Sequence, residues 1–267
     1  MSPKRYFARI HCIIAREAPL AVVFRRGPAK KTLVLQWNLS SDKFKKGQWL
    51  KGRIYHLRSD LSPKGKRLLY MGMGTKGPFT AISNAPYLKA LEYFPSEIGT
   101  WFGGGRWLSE TKPLFDGPDS PPTKLSERVP ALSGGDLGLY FGRLIRDGWS
   151  YVDRDETTGS NYVFEKRVTA KETLRKIVFG GKKEGTPPEF HERERMIFAE
   201  YHQVIRDSQP PTEYPLWEWA DVYGRRTILF AEKGCLYRGV IASKGELQRE
   251  LVADLNPYEF EKLIAPY

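Results

Sequence analysis

Short runs of β-branched, aromatic and aliphatic residues recur along the chain, each closed by Gly, Pro, Asn or Asp. They cover 20–24, 32–37, 49–57, 67–71, 78–83, 139–145, 149–153, 161–164, 173–179, 227–231 and 235–241. Alternation of apolar and polar side chains over such short spans predicts strands, and many strands at this spacing predict an all-β sandwich, barrel or propeller. Helix signals are fewer. The segment 187–207 predicts one long helix: Thr186 is a candidate N-cap, Pro187 and Pro188 fit the first turn, and Pro210 and Pro211 end it. Its apolar positions Phe190, Ile197, Phe198, Tyr201, Val204 and Ile205 recur at near-helical spacing. A short helix is predicted at 257–264 behind Asn256, and 86–94 fits either a helix or a strand pair. The proline-rich stretch 111–129 predicts a surface loop. Strand patterns continue on both sides of it, so a single domain over 1–267 is expected.

One local pattern occurs twice. Asp60-Leu61-Ser62-Pro63-Lys64-Gly65-Lys66-Arg67 runs into the apolar stretch 68–71. Proline sets φ for the turn and glycine supplies positive φ before the next strand. Asp221-Val222-Tyr223-Gly224-Arg225-Arg226 leads into 227–231 with the same order of acid, turn, basic pair and buried strand. The pattern resembles the blades of TolB-like and WD40-like β-propellers, with Lys64 standing where those blades carry an acid. As a whole the chain also resembles uncharacterised bacterial proteins that share Gly47-Gln48-Trp49, Gly52-Arg53-Ile54-Tyr55, the Asp-Leu-Ser-Pro turn and Asp254-Leu255-Asn256-Pro257. That likeness implies no activity. The blade resemblance implies an irregular β-propeller-like fold of about five blades with the inserted helix, and a β-sandwich is the alternative.

Charge is distributed unevenly along the 267 residues. Lys and Arg number 43 against 31 Asp and Glu, for a net +12. Residues 1–76 hold 18 basic residues against only Glu17, Asp42 and Asp60, a net +15, and the rest of the chain sums to −3. Clustered positive charge favours an anionic partner through steering and counterion release. Two distant cysteines, Cys12 and Cys235, give neither a disulfide framework nor a metal pair. The apolar run 10–15 is cut by Arg16 and Glu17, and no stretch reaches the roughly 18 apolar residues of a membrane helix. A cytoplasmic protein is expected.

Candidate chemistry concentrates in binding residues. Lys43, Lys45, Lys46, Lys51, Arg53, Lys64, Lys66 and Arg67 interleave with aromatics such as Trp49, the mixture that phosphate neutralisation and base stacking require. The same sequence is what a strand produces when aromatics face a core and lysines face water. Gly103-Gly104-Gly105 between Trp101, Arg106 and Trp107 suggests either a recognition loop or a bulged strand end packed by its tryptophans. The glycines at 72–77 lack the order of a phosphate loop, and no nucleophile elbow occurs. His191 and His202 lie too far apart on a helix to share a zinc ion, and His56 near Asp60 is a candidate acid–base pair. No cofactor, metal or catalytic residue is assigned. The expectation is a non-enzymatic protein–protein interaction module, an accessory or regulatory subunit that binds an acidic protein partner. The alternatives are a nucleic-acid-binding accessory protein of a bacterial defence or regulatory system, and a hydrolase with its site in a channel.

Overall fold

The strand patterns resolve into four antiparallel meanders. A computed structural model describes residues 7–27, 30–96, 99–100, 102–117, 135–155, 161–180, 198–207, 209–242 and 246–267. The first meander is β1 (Arg9–Ile14), β2 (Leu20–Arg26), β3 (Lys31–Asn38) and β4 (Lys43–Lys51). The second is β5 (Arg53–Leu61), β6 (Arg67–Gly74), β7 (Gly77–Asn84) and β8 (Ala90–Pro95). A small hairpin, β9 (Gly105–Trp107) with β10 (Pro113–Phe115), and the helix α1 (Gly135–Arg146) follow. The third sheet is β11 (Ser150–Asp155), β12 (Asn161–Arg167), β13 (Glu172–Gly180), β14 (Phe198–Arg206) and β15 (Gln209–Tyr214). The fourth is β16 (Trp217–Val222), β17 (Thr227–Glu232), β18 (Cys235–Ile241) and β19 (Leu247–Asp254).

In every one of these four sheets the strands are hydrogen-bonded in chain order. Successive hairpins of this kind are the blades of a propeller. Among the described residues the fold is all-β and β-propeller-like, with one helix and four blade-like sheets rather than about five. The chain divides into two compact units, 1–147 with 258–267, and 148–257.

In the first unit the core lies between the first two sheets. Ile13, Val22, Phe24 and Val34 meet Ile54, Leu61, Leu68, Tyr70, Phe79 and Ala81 in one cluster. Each Val, Leu or Phe withdrawn from water contributes about 1.5–3 kcal/mol, which makes these faces the main source of stability. The chain passes from the first sheet to the second at Gly52, where a Cβ would collide with the carbonyl oxygen of Met73. Glycine there splits the run 49–57 into the end of β4 and the start of β5. The Asp60–Arg67 turn forms as its composition predicts. Gly65 takes a φ of +70°, its N–H donates to the Ser62 carbonyl at 2.8 Å, and Ser62 Oγ accepts from the N–H groups of Lys66 and Arg67. Residues 258–267 return to this unit, with Gln48 Nε2 donating to the Leu263 carbonyl at 2.8 Å.

Three predicted elements are corrected. The helix expected over 187–207 is a strand where it is described: Phe198–Arg206 pairs with β13 on one side and β15 on the other, while 187–197 lie outside the described residues. Tyr201, His202 and Val204 are all buried, and burial on both faces removes the two-residue alternation that marks a strand. Conversely, 139–145 belongs to α1. Tyr140, Phe141 and Leu144 are buried, and their spacing of one and three residues is that of a helix face. The segment 257–264 forms no helix. Asn256 donates to the Lys233 carbonyl at 3.0 Å and to Asp254 Oδ1 at 2.8 Å, so its amide serves the β17–β18 turn instead of a helix cap. Of the undecided stretch 86–94, residues 90–94 lie in β8. The loop at 111–129 contains β10, and 118–129 lie outside the described residues.

Candidate functional site

The β2–β3 turn, the β4–β5 junction, the β6–β7 turn and the residues leading into β1 meet at one end of the first unit. They enclose a cavity of about 900 Å³. Six cations line it: Arg9, Arg26, Lys30, Lys31, Lys51 and Arg53, with Phe7, Thr32, Tyr55, Met73 and Thr75 among the other side chains. Among the described residues, the lining includes no carboxylate, histidine or cysteine.

Strand register creates this charge. Arg9 lies directly opposite Arg26 across β1 and β2, and Lys31 lies directly opposite Lys51 across β3 and β4. Like charges at facing positions destabilise a sheet. None of Arg9, Lys30, Lys31, Lys51 and Arg53 has an ion-pair partner among the described residues. Aromatic rings hold several of them instead. Lys31 and Lys51 stand 5.2 and 4.8 Å from the centre of the Phe260 ring, and the Arg53 guanidinium lies 5.4 Å from that of Tyr55. Such contacts orient a cation without neutralising it.

From Arg26 a chain of polar side chains runs away from the lining. Arg26 Nη1 is 3.0 Å from His56 Nδ1, and the His56 ring lies 4.3 Å from the ring of His11. Arg143 Nη2 in turn sits 3.2 Å from His11 Nε2. Guanidinium groups only donate, so both contacted ring nitrogens act as acceptors. Arg25 is buried, its guanidinium donates to the Gly27 carbonyl and braces the β2–β3 turn, and burial pushes its pKa down.

The predicted binding residues fall into separate places. Lys51 and Arg53 line the cavity. Lys43, Lys45 and Lys46 lie further back on β4, where Lys46 pairs with Glu261 and faces Tyr258, and Lys45 faces Tyr87. Trp49 is half-buried between the Arg25 guanidinium and Phe260. Lys64 and Lys66 belong to the β5–β6 turn, Arg67 opens β6, and the three are not among the residues lining the cavity. Trp107 is buried against Leu69 and Ile82, so it packs rather than presenting a face to a ligand. Trp101 lies outside the described residues. The glycine triplet packs inward, with the Gly104 N–H donating to Thr80 Oγ1 at 2.7 Å.

Arg106, half-buried, belongs to a second charged cluster. Its pKa is lowered by burial and by the neighbouring charge of Arg146, against the pull of Asp60. Asp60 is fully buried and does not pair with His56. Its carboxylate accepts from both terminal nitrogens of Arg146, from the Trp107 N–H at 2.7 Å and from the Leu61 N–H at 2.9 Å. Burial alone would lower the pKa of Arg146, but Asp60 and Asp147 outweigh it and raise it. Asp147 is itself raised, because burial outweighs the stabilising Arg146. This cluster ties α1 to β5 and β9.

Sequence reasoning named Tyr55 among the interleaved aromatics but missed Phe7, Arg9, Arg26, Lys30 and Lys31 as site residues. The excess charge of 1–76 already contained four of them, but their convergence follows from strand register.

No protein-family model and no curated protein matches the sequence. Among solved structures the chain is similar to AtxE2 isopeptidase with Astexin3-dC4 bound, at 10% identity and a TM-score of 0.34 over 91% of this chain and 46% of that one. The apo isopeptidase gives 11% identity and a TM-score of 0.30, over 92% and 46% of the two chains. The Cps50 (Swd1) β-propeller domain of Myceliophteria thermophila gives 8% and 0.25, over 90% and 69%. The chain thus spans about half the length of the isopeptidase. The four sheets themselves carry the fold assignment. Among the described residues, no helix is long and apolar enough to cross a membrane.

Proposed function

We propose that the protein is a non-enzymatic interaction module that binds an anionic partner in the basic cavity of its first unit. The observation that carries this is the facing of like charges, Arg9 on Arg26 and Lys31 on Lys51, around a cavity lined by no carboxylate among the described residues. Such an arrangement costs stability in the free protein, and a bound anion relieves it. Propeller folds commonly act as protein-interaction scaffolds, although one fold hosts many functions, so the reading rests on the cavity. An accessory or regulatory role, with the acidic segment of a protein as one form of the partner, fits the same chemistry.

Fluorescence anisotropy with a labelled polyglutamate peptide and a labelled oligothymidine tests it across a salt series. At least one of the two probes is expected to bind, with affinity that falls steeply as salt rises. The double variant Lys51→Glu, Arg53→Glu is expected to abolish that binding. Lys43→Glu with Lys45→Glu, remote from the cavity, is expected to leave most of it. Equal losses from the two pairs, or affinity indifferent to salt, would sink the proposal.

A further inference from the structure

Resting on that reading, we infer that the anionic partner is single-stranded nucleic acid, held with its phosphates on the cavity cations and a base against Tyr55. The cavity combines two features that an acidic peptide does not need together. It presents dense positive charge, of which Arg9, Lys30, Lys31, Lys51 and Arg53 have no ion pair among the described residues, and it presents aromatic rings within the same wall. Phe7 is 43% exposed, Tyr55 is half-buried, and both line the cavity beside Arg9, Lys51 and Arg53. Phosphates alternate with flat apolar bases along a strand, and single-strand binders pair a basic groove with stacking rings for that reason. Carboxylates on flexible side chains offer nothing to stack. The guanidinium of Arg53 over Tyr55 enlarges the platform, since arginine is planar and stacks on both rings and bases.

Shape separates one strand from two. A duplex is read by a protruding helix or ribbon that enters its groove. Here the cations line a concavity of about 900 Å³, at the upper end of the roughly 300–1,000 Å³ usual for ligand clefts. That space receives a few nucleotides of a flexible strand. The facing pairs Arg9–Arg26 and Lys31–Lys51 then contact phosphates on either side of the stacked base, and each neutralised phosphate makes binding more salt-dependent.

The test compares four probes on the full chain at low and physiological salt: oligothymidine, an abasic oligomer of the same length, the corresponding duplex, and polyglutamate. Oligothymidine is expected to bind tightest, and the abasic strand about tenfold or more weaker, the size of one lost stack. Tyr55→Leu should reproduce most of that loss for oligothymidine and weaken the abasic strand far less, whereas Tyr55→Phe retains binding. Because the comparison of oligothymidine with the abasic strand uses the unaltered protein, it stands even where Tyr55→Leu fails to fold. Equal binding of the two strands, tighter binding of duplex, or tighter binding of polyglutamate would overturn the inference while leaving the anion-binding module intact. Failure of every probe at low salt would overturn both.

Discussion

The same chemical groups are used in opposite ways in the two units. In the second unit, basic side chains face carboxylates. Glu165 lies directly opposite Arg175 and binds it at 2.7 Å, Lys166 reaches Asp221 at 2.8 Å, and buried Lys176 reaches Glu200 at 3.0 Å. At the cavity end of the first unit, arginine faces arginine and lysine faces lysine. A sheet built only for stability places opposite charges across its strands. The second unit follows that rule, and the first departs from it at one end, where a cavity opens. The contrast separates charges that hold a fold together from charges held ready for something outside it.

The largest effect is expected where the pairing is deepest. Lys176 is 1% exposed, and Glu200 and the Trp149 ring face its ammonium. Lys176→Ala leaves the Glu200 carboxylate buried without this cation, which costs about 3–5 kcal/mol. Urea unfolding should show the midpoint falling accordingly. The double replacement Lys176→Met, Glu200→Leu removes both charges and should recover most of the loss. A single variant as stable as the parent would mean that the pair does not support the second unit.

Much of this contrast was hidden in the sequence, though its ingredients were not. The repeated turn was legible because its chemistry is local. Asp60 Oδ1 accepts from the next N–H at 2.9 Å and Asp221 Oδ1 from its own next N–H at 2.7 Å, and Gly65 and Gly224 take φ of +70° and +68°. The excess of positive charge in 1–76 was legible by counting. Which cations face one another was not, because register depends on where each turn closes, and a shift of one residue moves every side chain to the other face. The strand Phe198–Arg206 was illegible for a different reason. Its burial on both faces puts Tyr201, His202 and Val204 in the core together, and their spacing matches a helix as well as a strand.

A middle-sized effect belongs to the Asp60–Arg146–Asp147 cluster, where the first unit does pair its charges. Asp147 has its pKa raised above the ordinary 3.8 because burial outweighs Arg146. The folded protein therefore binds this proton more tightly than the unfolded chain does. The contribution of Asp147 is most favourable below the unfolded value and diminishes as pH rises through the folded one. Asp147→Asn removes the titration and keeps an acceptor for Arg146. The stability of wild type relative to Asp147→Asn should fall as pH increases through the window above 3.8. A difference that rose across that window would place Arg146 in control of Asp147, contrary to the balance of burial and charge.

The smallest effect is the most discriminating, because it has opposite signs in the two units. Lys31→Glu places a carboxylate opposite Lys51, and the sheet should gain about 0.2–1 kcal/mol as a repulsive pair becomes an attractive one. Glu165→Lys places an ammonium opposite Arg175, and the sheet should lose a similar amount. Both changes should shrink at high salt, since partly exposed charges are screened there. Binding must move the other way. Lys31→Glu should weaken anion binding despite the added stability, and Glu165→Lys should leave binding alone despite the loss. Stability that falls in both variants would mean that Lys31 and Lys51 already tolerate each other without strain. The cavity would then have no need of an anion to balance it, and the difference between the units would be one of composition alone.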